Sequence, residues 1–367
     1  MPHMPFRLAS PMTDQTNPVS ADRKIVLLTE GFSEPITAKT ATSVIRYGRF
    51  PTIAILDSHE AGKTAQQLFD IGGDIPVVAK LSEAAGANTL MIGIAPPGGK
   101  IPDSWRPIIL EAIHSGMDVV SGLHDFLSAN EEFVAAAKKA GVNLVDVRKN
   151  NEHDVANRLN WRDQCLRIHT VGQDCSIGKM LVSVELTRAL QARGHDAKFV
   201  ATGQTGIMIE GDGCPIDCVV ADFVSGAIEK QILAHQHHDF LFIEGQGSLS
   251  HPRYSAVTLG LLHGCLPHAM ILCYEAGRTA VNGMEYIPLK SLPELRTIYE
   301  NTASIMMPAR VIGIAMNSRL LSGAAAEAER QRVREEMGLP VCDVIRHGPD
   351  ELVDAVLQLH AERSKTS

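Results

Sequence analysis

The chain has 367 residues, 45% hydrophobic and 21% charged, more than one hydrophobic core usually organises, so two globular units are expected and a single small module is ruled out. Lys and Arg total 34 against 42 for Asp and Glu, and a formal charge of -8 gives no general electrostatic reason to hold a nucleic-acid backbone; any phosphate contact must be local. Seven cysteines without a CxxC pair argue against a secreted disulfide scaffold and for a reducing, cytoplasmic setting, and no apolar run reaches the ~18 residues that cross a bilayer.

Residues 1–22 are rich in Pro, Thr, Asn and Gln and are expected to be a mobile extension outside the fold. From Lys24 onward, short β-branched runs alternate with longer helical stretches, the pattern of parallel βαβ units. Strands are expected at Lys24 to Thr29, Thr52 to Leu56, Thr89 to Ile94, Asp118 to Ser121 and Val142 to Val147, with helices at Ala38 to Tyr47, Trp105 to Ser115 and Ala129 to Ala140. The loop after the first of these strands reads EGFSEPITAK and has no GxGxxG, so a dinucleotide site is not expected there. Two other strand ends look ligand-like: APPGGK at Ala95 to Lys100 and SGLHD at Ser121 to Asp125, where His124 and Asp125 face a cleft or cap a helix.

Arg148 to Arg162 is polar and charged and reads as a connection. A second series follows, with strands at Leu166 to Val171, Lys198 to Ala201, Phe240 to Ile243, Ala269 to Cys273 and Val311 to Ala315. Its helices are expected at Gly178 to Arg193, Val220 to Ala234, Ala324 to Met337 and Pro349 to Ala361. The fold class is therefore α/β, two doubly wound, mainly parallel-sheet domains divided at 23–150 and 151–367, the second of P-loop NTPase type.

That last assignment rests on Leu166 to Met180, LRIHTVGQDCSIGKM. An apolar strand runs into Gly172, Gln173, Asp174, Cys175, Ser176, Ile177 and Gly178, and Lys179 opens an amphipathic helix. The two glycines let backbone N–H groups turn inward on a phosphate, the helix N-terminus adds a positive end, and Lys179 adds a full charge. The strict pattern GxxxxGK[ST] is broken twice. Five residues separate the glycines, as in dethiobiotin synthetase-like enzymes, and Met180 stands where a hydroxyl would ligate Mg²⁺. A thioether is a poor ligand for that hard cation, so the loop suits a phosphate or diphosphate better than Mg²⁺-assisted cleavage of a γ-phosphate.

Three more strand ends converge on the same edge. Glu244 closes the strand of DFLFIEGQGSLSHP and could hold a metal through water, take a proton from a substrate amine, or bind a backbone N–H, and His251, seven residues on, is a candidate base or hydrogen-bond partner. Thr202, Gln204 and Thr205 lie in the glycine-rich turn ATGQTGIM, expected to touch substrate or phosphate, and Asn317 ends VIGIAMN like the adenine-contacting Asn of dethiobiotin synthetase-like enzymes. Cys214 and Cys218 lack a second ligand pair, and no metal site is expected.

With GQDCSIGKM, ATGQTGIMIEGDG, VVADFVSGAIE and FIEGQGSLSHPRYSAVTLGLLHG in this order, and KTA, APPGGK and SGLHDFL before them, the chain resembles the D-glutamate N-acetyltransferase family. That resemblance implies a Rossmann-like first domain, a P-loop-fold second domain, and transfer of acetyl from acetyl-CoA to the amine of D-glutamate in D-amino-acid catabolism. On this view the loop Gly172 to Met180 cradles the CoA phosphates, Glu244 or His251 is the base, and Arg253 or Arg278 meets a substrate carboxylate. A homo-oligomer without nucleic-acid or membrane partners is expected. Two alternatives stand beside it: an ATP- and Mg-dependent enzyme of the dethiobiotin synthetase type, and a nucleotide-binding regulator without turnover.

Overall fold

A computed structural model describes residues 22–96 and 98–365, so the expected extension, apart from Asp22, and Pro97 of the APPGGK turn lie outside the described residues. In chain order the first half contains β1 (Ile25–Leu28), α1 (Lys39–Tyr47), β2 (Thr52–Leu56), α2 (Ala65–Phe69), β3 (Val77–Val78), β4 (Thr89–Ile92), α3 (Arg106–His114), β5 (Asp118–Ser121), α4 (Glu131–Ala140) and β6 (Leu144–Asp146). All adjacent strands of this sheet pair in parallel, in the order β3-β2-β1-β4-β5-β6, which is the Rossmann order. Runs such as IVLL in β1 are buried at every position, as a sheet covered on both faces demands.

The second half runs β7 (Leu166–Gly172), α5 (Lys179–Ala192), β8 (Ala197–Val200), α6 (Gln204–Glu210), α7 (Val224–His235), β9 (Phe240–Ile243), α8 (Ser255–Cys265), β10 (Ala269–Glu275), β11 (Ala280–Val281), β12 (Met284–Pro288), α9 (Leu292–Ser304), β13 (Arg310–Asn317), α10 (Gly323–Met337), β14 (Val341–Cys342) and α11 (Asp350–Ser364). Its main sheet is parallel throughout, in the order β14-β13-β10-β7-β9-β8, so the loop after β7 opens at the middle of the sheet. Two expectations change here. The sequence ATGQTGIM, read as a turn, is largely the helix α6, and α8 and α9 were not foreseen. Among the described residues no helix is long and apolar enough to cross a membrane.

The connection is irregular, as its composition predicts, and lies along α7. The backbone N–H groups of Asn157 and Arg158 donate to Glu229, and Gly226 is needed because a Cβ there would stand 1.9 Å from the Asp154 carbonyl oxygen. Apolar packing also joins the two halves. Tyr47 of α1 sits in a buried cluster with Val184, Phe199, Ala201 and Ile209, while Met208 of α6 enters the core of the first sheet. Tyr47 donates to Glu185 at 2.5 Å, Arg188 donates to the Tyr47 carbonyl at 2.7 Å, and Arg49 donates to the Glu210 carbonyl at 2.7 Å. A seam closed by apolar contact and by these hydrogen bonds holds the two sheets in one relation.

Candidate functional site

Strand β7 delivers Gly172 into the loop, and Gly178, at φ 104°, turns the chain into α5; this left-handed conformation is one that glycine adopts without strain. The start of the loop is braced from below. Fully buried Tyr299 of α9 donates to the Gly172 carbonyl at 2.8 Å and accepts from the Leu249 N–H at 3.1 Å, and Ser248 donates to the Gln173 carbonyl at 3.2 Å. Asn317, at the end of β13, donates to the Ile177 carbonyl at 3.2 Å, so its amide steadies the loop's far side. Lys179 is buried, and its Nζ folds back to the Asp174 carbonyl at 2.7 Å. Burial lowers its pKa, while Cys175, Cys273, Asp174 and Glu244 oppose that shift. A phosphate oxygen is the natural replacement for the carbonyl in that bond.

Asp174 organises the loop's interior. Its fully buried carboxylate accepts from the Cys175 N–H at 2.7 Å, from Arg278 at 2.8 Å and from the Asn282 N–H at 2.8 Å. Arg278 also donates to Glu275 at 2.5 Å and to the Cys175 carbonyl at 3.1 Å. The guanidinium expected to meet substrate is therefore an internal strut between two buried carboxylates. Arg253, by contrast, is exposed at the rim, and its guanidinium hydrogen-bonds only to the Gly283 carbonyl, at 3.4 Å, among the described residues.

Glu244 follows β9 and is 4% exposed. Its Oε2 accepts the backbone N–H groups of Thr202 at 2.8 Å and Gly203 at 3.0 Å, where α6 begins, and its own carbonyl accepts from the Thr202 hydroxyl at 2.8 Å. The glycines of this segment serve that carboxylate rather than a phosphate: a Cβ on Gly206 would lie 2.5 Å from Glu244 Oε2. Burial raises the Glu244 pKa, and the two amide hydrogen bonds and Lys179 pull it back. The result is a carboxylate that takes up a proton more readily than an exposed one.

His251 is buried beside Asp174, with Nε2 3.7 Å from Oδ1. Its Nδ1 accepts the Arg253 N–H at 3.1 Å, and an amide can only donate, so the neutral ring carries its proton on Nε2. Burial lowers its pKa against the pull of Asp174. A histidine with its lone pair occupied is poorly placed to take a proton. Asp174, Cys175 and His251 bring three ligand-type atoms within 4.8 Å, yet Arg278 already neutralises the carboxylate.

Met180 does not face the loop. It packs against the apolar seam of Tyr47, Val184, Phe199, Ala201 and Ile209. The fit to Mg²⁺ therefore fails on the donor set, since the hydroxyl position is a thioether in an apolar contact and both Asp174 oxygens are engaged.

Gln204 and Thr205 reach the first sheet. Gln204 Nε2 donates to Thr40 at 2.8 Å and to Thr205 at 2.9 Å, and the two threonine hydroxyls lie 3.0 Å apart. Two residues that spacing left unassigned also border the site. Lys39 opens α1, and Arg148, held by the Gly122 carbonyl at 2.6 Å and by Asp217, spans the seam. Arg148 is close enough to interact with both Lys39 and Glu244. The KTA string was a signal for Lys39; nothing in the sequence marked Tyr299.

Known proteins resemble the chain along nearly its whole length. Residues 58–150 match the DUF1611_N Rossmann-like domain and residues 122–353 the DUF1611_C P-loop domain, both families described as domains of unknown function. A crystal structure of a DUF1611 family protein from Anabaena variabilis is 37% identical, with a TM-score of 0.86 over 92% of this chain and 100% of that one. Two curated relatives bear the name D-glutamate N-acetyltransferase. One, from Tritonibacter scottomollicae, is 41% identical over 75% of this chain and 83% of its own length; the other, from a Pseudoalteromonas species, is 39% identical over 74% and 83%.

Proposed function

The chain belongs to the D-glutamate N-acetyltransferase family, built from the two DUF1611 halves, and we propose that it moves acetyl from acetyl-CoA to the amine of D-glutamate, with its P-loop holding the CoA phosphates. The observation that carries this reading is the loop itself: a phosphate cradle with Lys179 in place, whose metal-ligating position is Met180 packed into an apolar seam. Acetyl transfer needs a bound diphosphate but no γ-phosphate cleavage, which is what such a loop can supply. Division near residue 150 then separates a Rossmann-like unit from the P-loop unit, in a cytoplasmic homo-oligomer.

The chemistry follows from the residues at the sheet edge. Glu244 accepts a proton from the substrate ammonium, and the freed nitrogen attacks the thioester carbonyl carbon. Backbone N–H groups take the charge that develops on oxygen. The C–S bond breaks, and the sulfur leaves with the second nitrogen proton as free CoA thiol. Of the two arginines, exposed Arg253 is the one free to meet a substrate carboxylate, since Arg278 is bound to Asp174 and Glu275. His251, protonated on Nε2, orients the Asp174 side of the loop rather than acting as the base.

Calorimetry separates this from the ATP-dependent alternative. Acetyl-CoA should bind without magnesium, and Lys179→Ala should abolish the heat. Tight ATP binding that requires Mg²⁺, with no heat from acetyl-CoA, would overturn the reading.

A further inference from the structure

A diphosphate carries two negative charges, and P-loop enzymes ordinarily balance them with the loop lysine and a Mg²⁺ ion. Here the second charge has no metal ligand to bring it. Met180 is turned into the apolar seam, and the Asp174 oxygens are engaged by Arg278 and by the Cys175 and Asn282 N–H groups. A positive group must come from elsewhere if the loop is to hold more than a monoanion.

One stands across the seam. Lys39 is exposed at the start of α1, and its ammonium has no ion pair or hydrogen bond among the described residues. Its position is fixed by its neighbour, since the Thr40 hydroxyl is 3.0 Å from that of Thr205 and accepts from Gln204 at 2.8 Å. Two cations act on Lys39 as like charges, Arg148 and Lys179, and Cys175 of the loop interacts with it as well. Surrounding protein and those two cations hold its pKa below the usual lysine range, with Cys175 opposing the shift. An uncompensated ammonium placed against two other cations is costly unless an anion arrives to join them.

We propose that Lys39 replaces the metal: with Lys179 it binds the diphosphate of the CoA moiety across the seam, so the first sheet completes the phosphate cradle of the second. This rests on the reading of the loop as a phosphate site and adds to it a residue, a charge balance and a role for the Rossmann-like half. Ligand binding then depends on the two sheets keeping the relation that Tyr47 and Met208 pack into place.

Coenzyme A and inorganic pyrophosphate, each titrated into the full chain by calorimetry in EDTA and in magnesium, provide the test. The wild-type affinity for coenzyme A should agree within about twofold in the two buffers, and in EDTA Lys39→Gln should weaken both ligands about tenfold or more, as loss of a charge-assisted contact does. Lys39→Arg should retain most of the affinity. Because Lys39 is unpaired and acted on by two other cations, Lys39→Gln should melt no lower than the wild type, and in turnover the KM for acetyl-CoA should rise while that for D-glutamate holds. Unchanged binding by Lys39→Gln, a strong gain in coenzyme A affinity on adding magnesium, or a rise confined to the KM for D-glutamate would each overturn the proposal, the last by making Lys39 a carboxylate-binding cation. Binding is read without turnover. A protein that holds both ligands through Lys39 yet transfers no acetyl would refute the acetyltransferase reading and leave this one standing.

Discussion

Glu244→Gln isolates the proposed base with little disturbance to the fold. The substitution keeps the side chain's shape and one carbonyl oxygen, so the N–H groups of Thr202 and Gly203, at 2.8 and 3.0 Å, still have their acceptor and α6 still begins where it does. What disappears is the proton acceptor. General-base catalysis is worth about 10² to 10⁴ in rate, so kcat should fall by roughly 10³ while the KM for acetyl-CoA moves by less than about threefold. Burial raises the Glu244 pKa, and the active form is the deprotonated one. Wild-type kcat should therefore be lost as pH falls through that raised pKa, along an acid limb above the usual glutamate range. The assay is initial-rate thiol release from pH 5 to 9 with both substrates saturating. If Glu244→Gln keeps kcat within about threefold and the same acid limb, the proton goes elsewhere and the reasoning from burial and geometry fails.

Other outcomes follow from the same structure. Asp174→Ala should strip Arg278 of one of its two carboxylate partners and leave the Cys175 and Asn282 N–H groups without their acceptor, and cost about 3–5 kcal/mol, read as a lowered urea midpoint; a change under about 1 kcal/mol would mean the loop does not depend on that carboxylate. Met180→Thr restores the consensus residue but places a hydroxyl in the apolar seam, so it should lower stability by about 1–3 kcal/mol without creating Mg²⁺-dependent ADP formation. Vigorous ATP cleavage by that variant would contradict the packing argument. Buried His169 and His268 have pKa values pushed down to about 4 and about 3, so the unfolded chain binds their protons first; stability should fall as pH drops below about 6.5, by on the order of a few kcal/mol by pH 4, and a urea midpoint constant from pH 7 to pH 5 would count against it.

Much of this architecture is legible as pattern. Fully buried strands such as FLFI in β9 and IVLL in β1 announce themselves as apolar β-branched and aromatic runs, and the phosphate loop declares its glycines, its lysine and its missing hydroxyl. The helix α6 was missed because Gly203 and Gly206 look like turn residues; their reason is the close approach of Glu244, which lies about forty positions away and leaves no local trace. The start of α9 was readable, since Ser291 and Glu294 form a capping box. Two-residue edge strands such as β3 and β14 are too short to carry a period. At the site, residue type and a place just after an apolar strand marked Arg278 as a substrate cation, whereas its partners Asp174 and Glu275 are set by which loops meet at the sheet edge. Lys39 shows the same limit, because only the seam brings it to the loop.

Acetyl transfer to D-glutamate is read out without ambiguity as product formation. Purified full-length protein given ¹³C-acetyl-CoA and D-glutamate without added metal should release one free CoA thiol for each labelled N-acetyl-D-glutamate seen by NMR. No thiol release and no labelled product across a panel of D- and L-amino acids, with magnesium-dependent ADP formation from ATP in its place, would contradict the account.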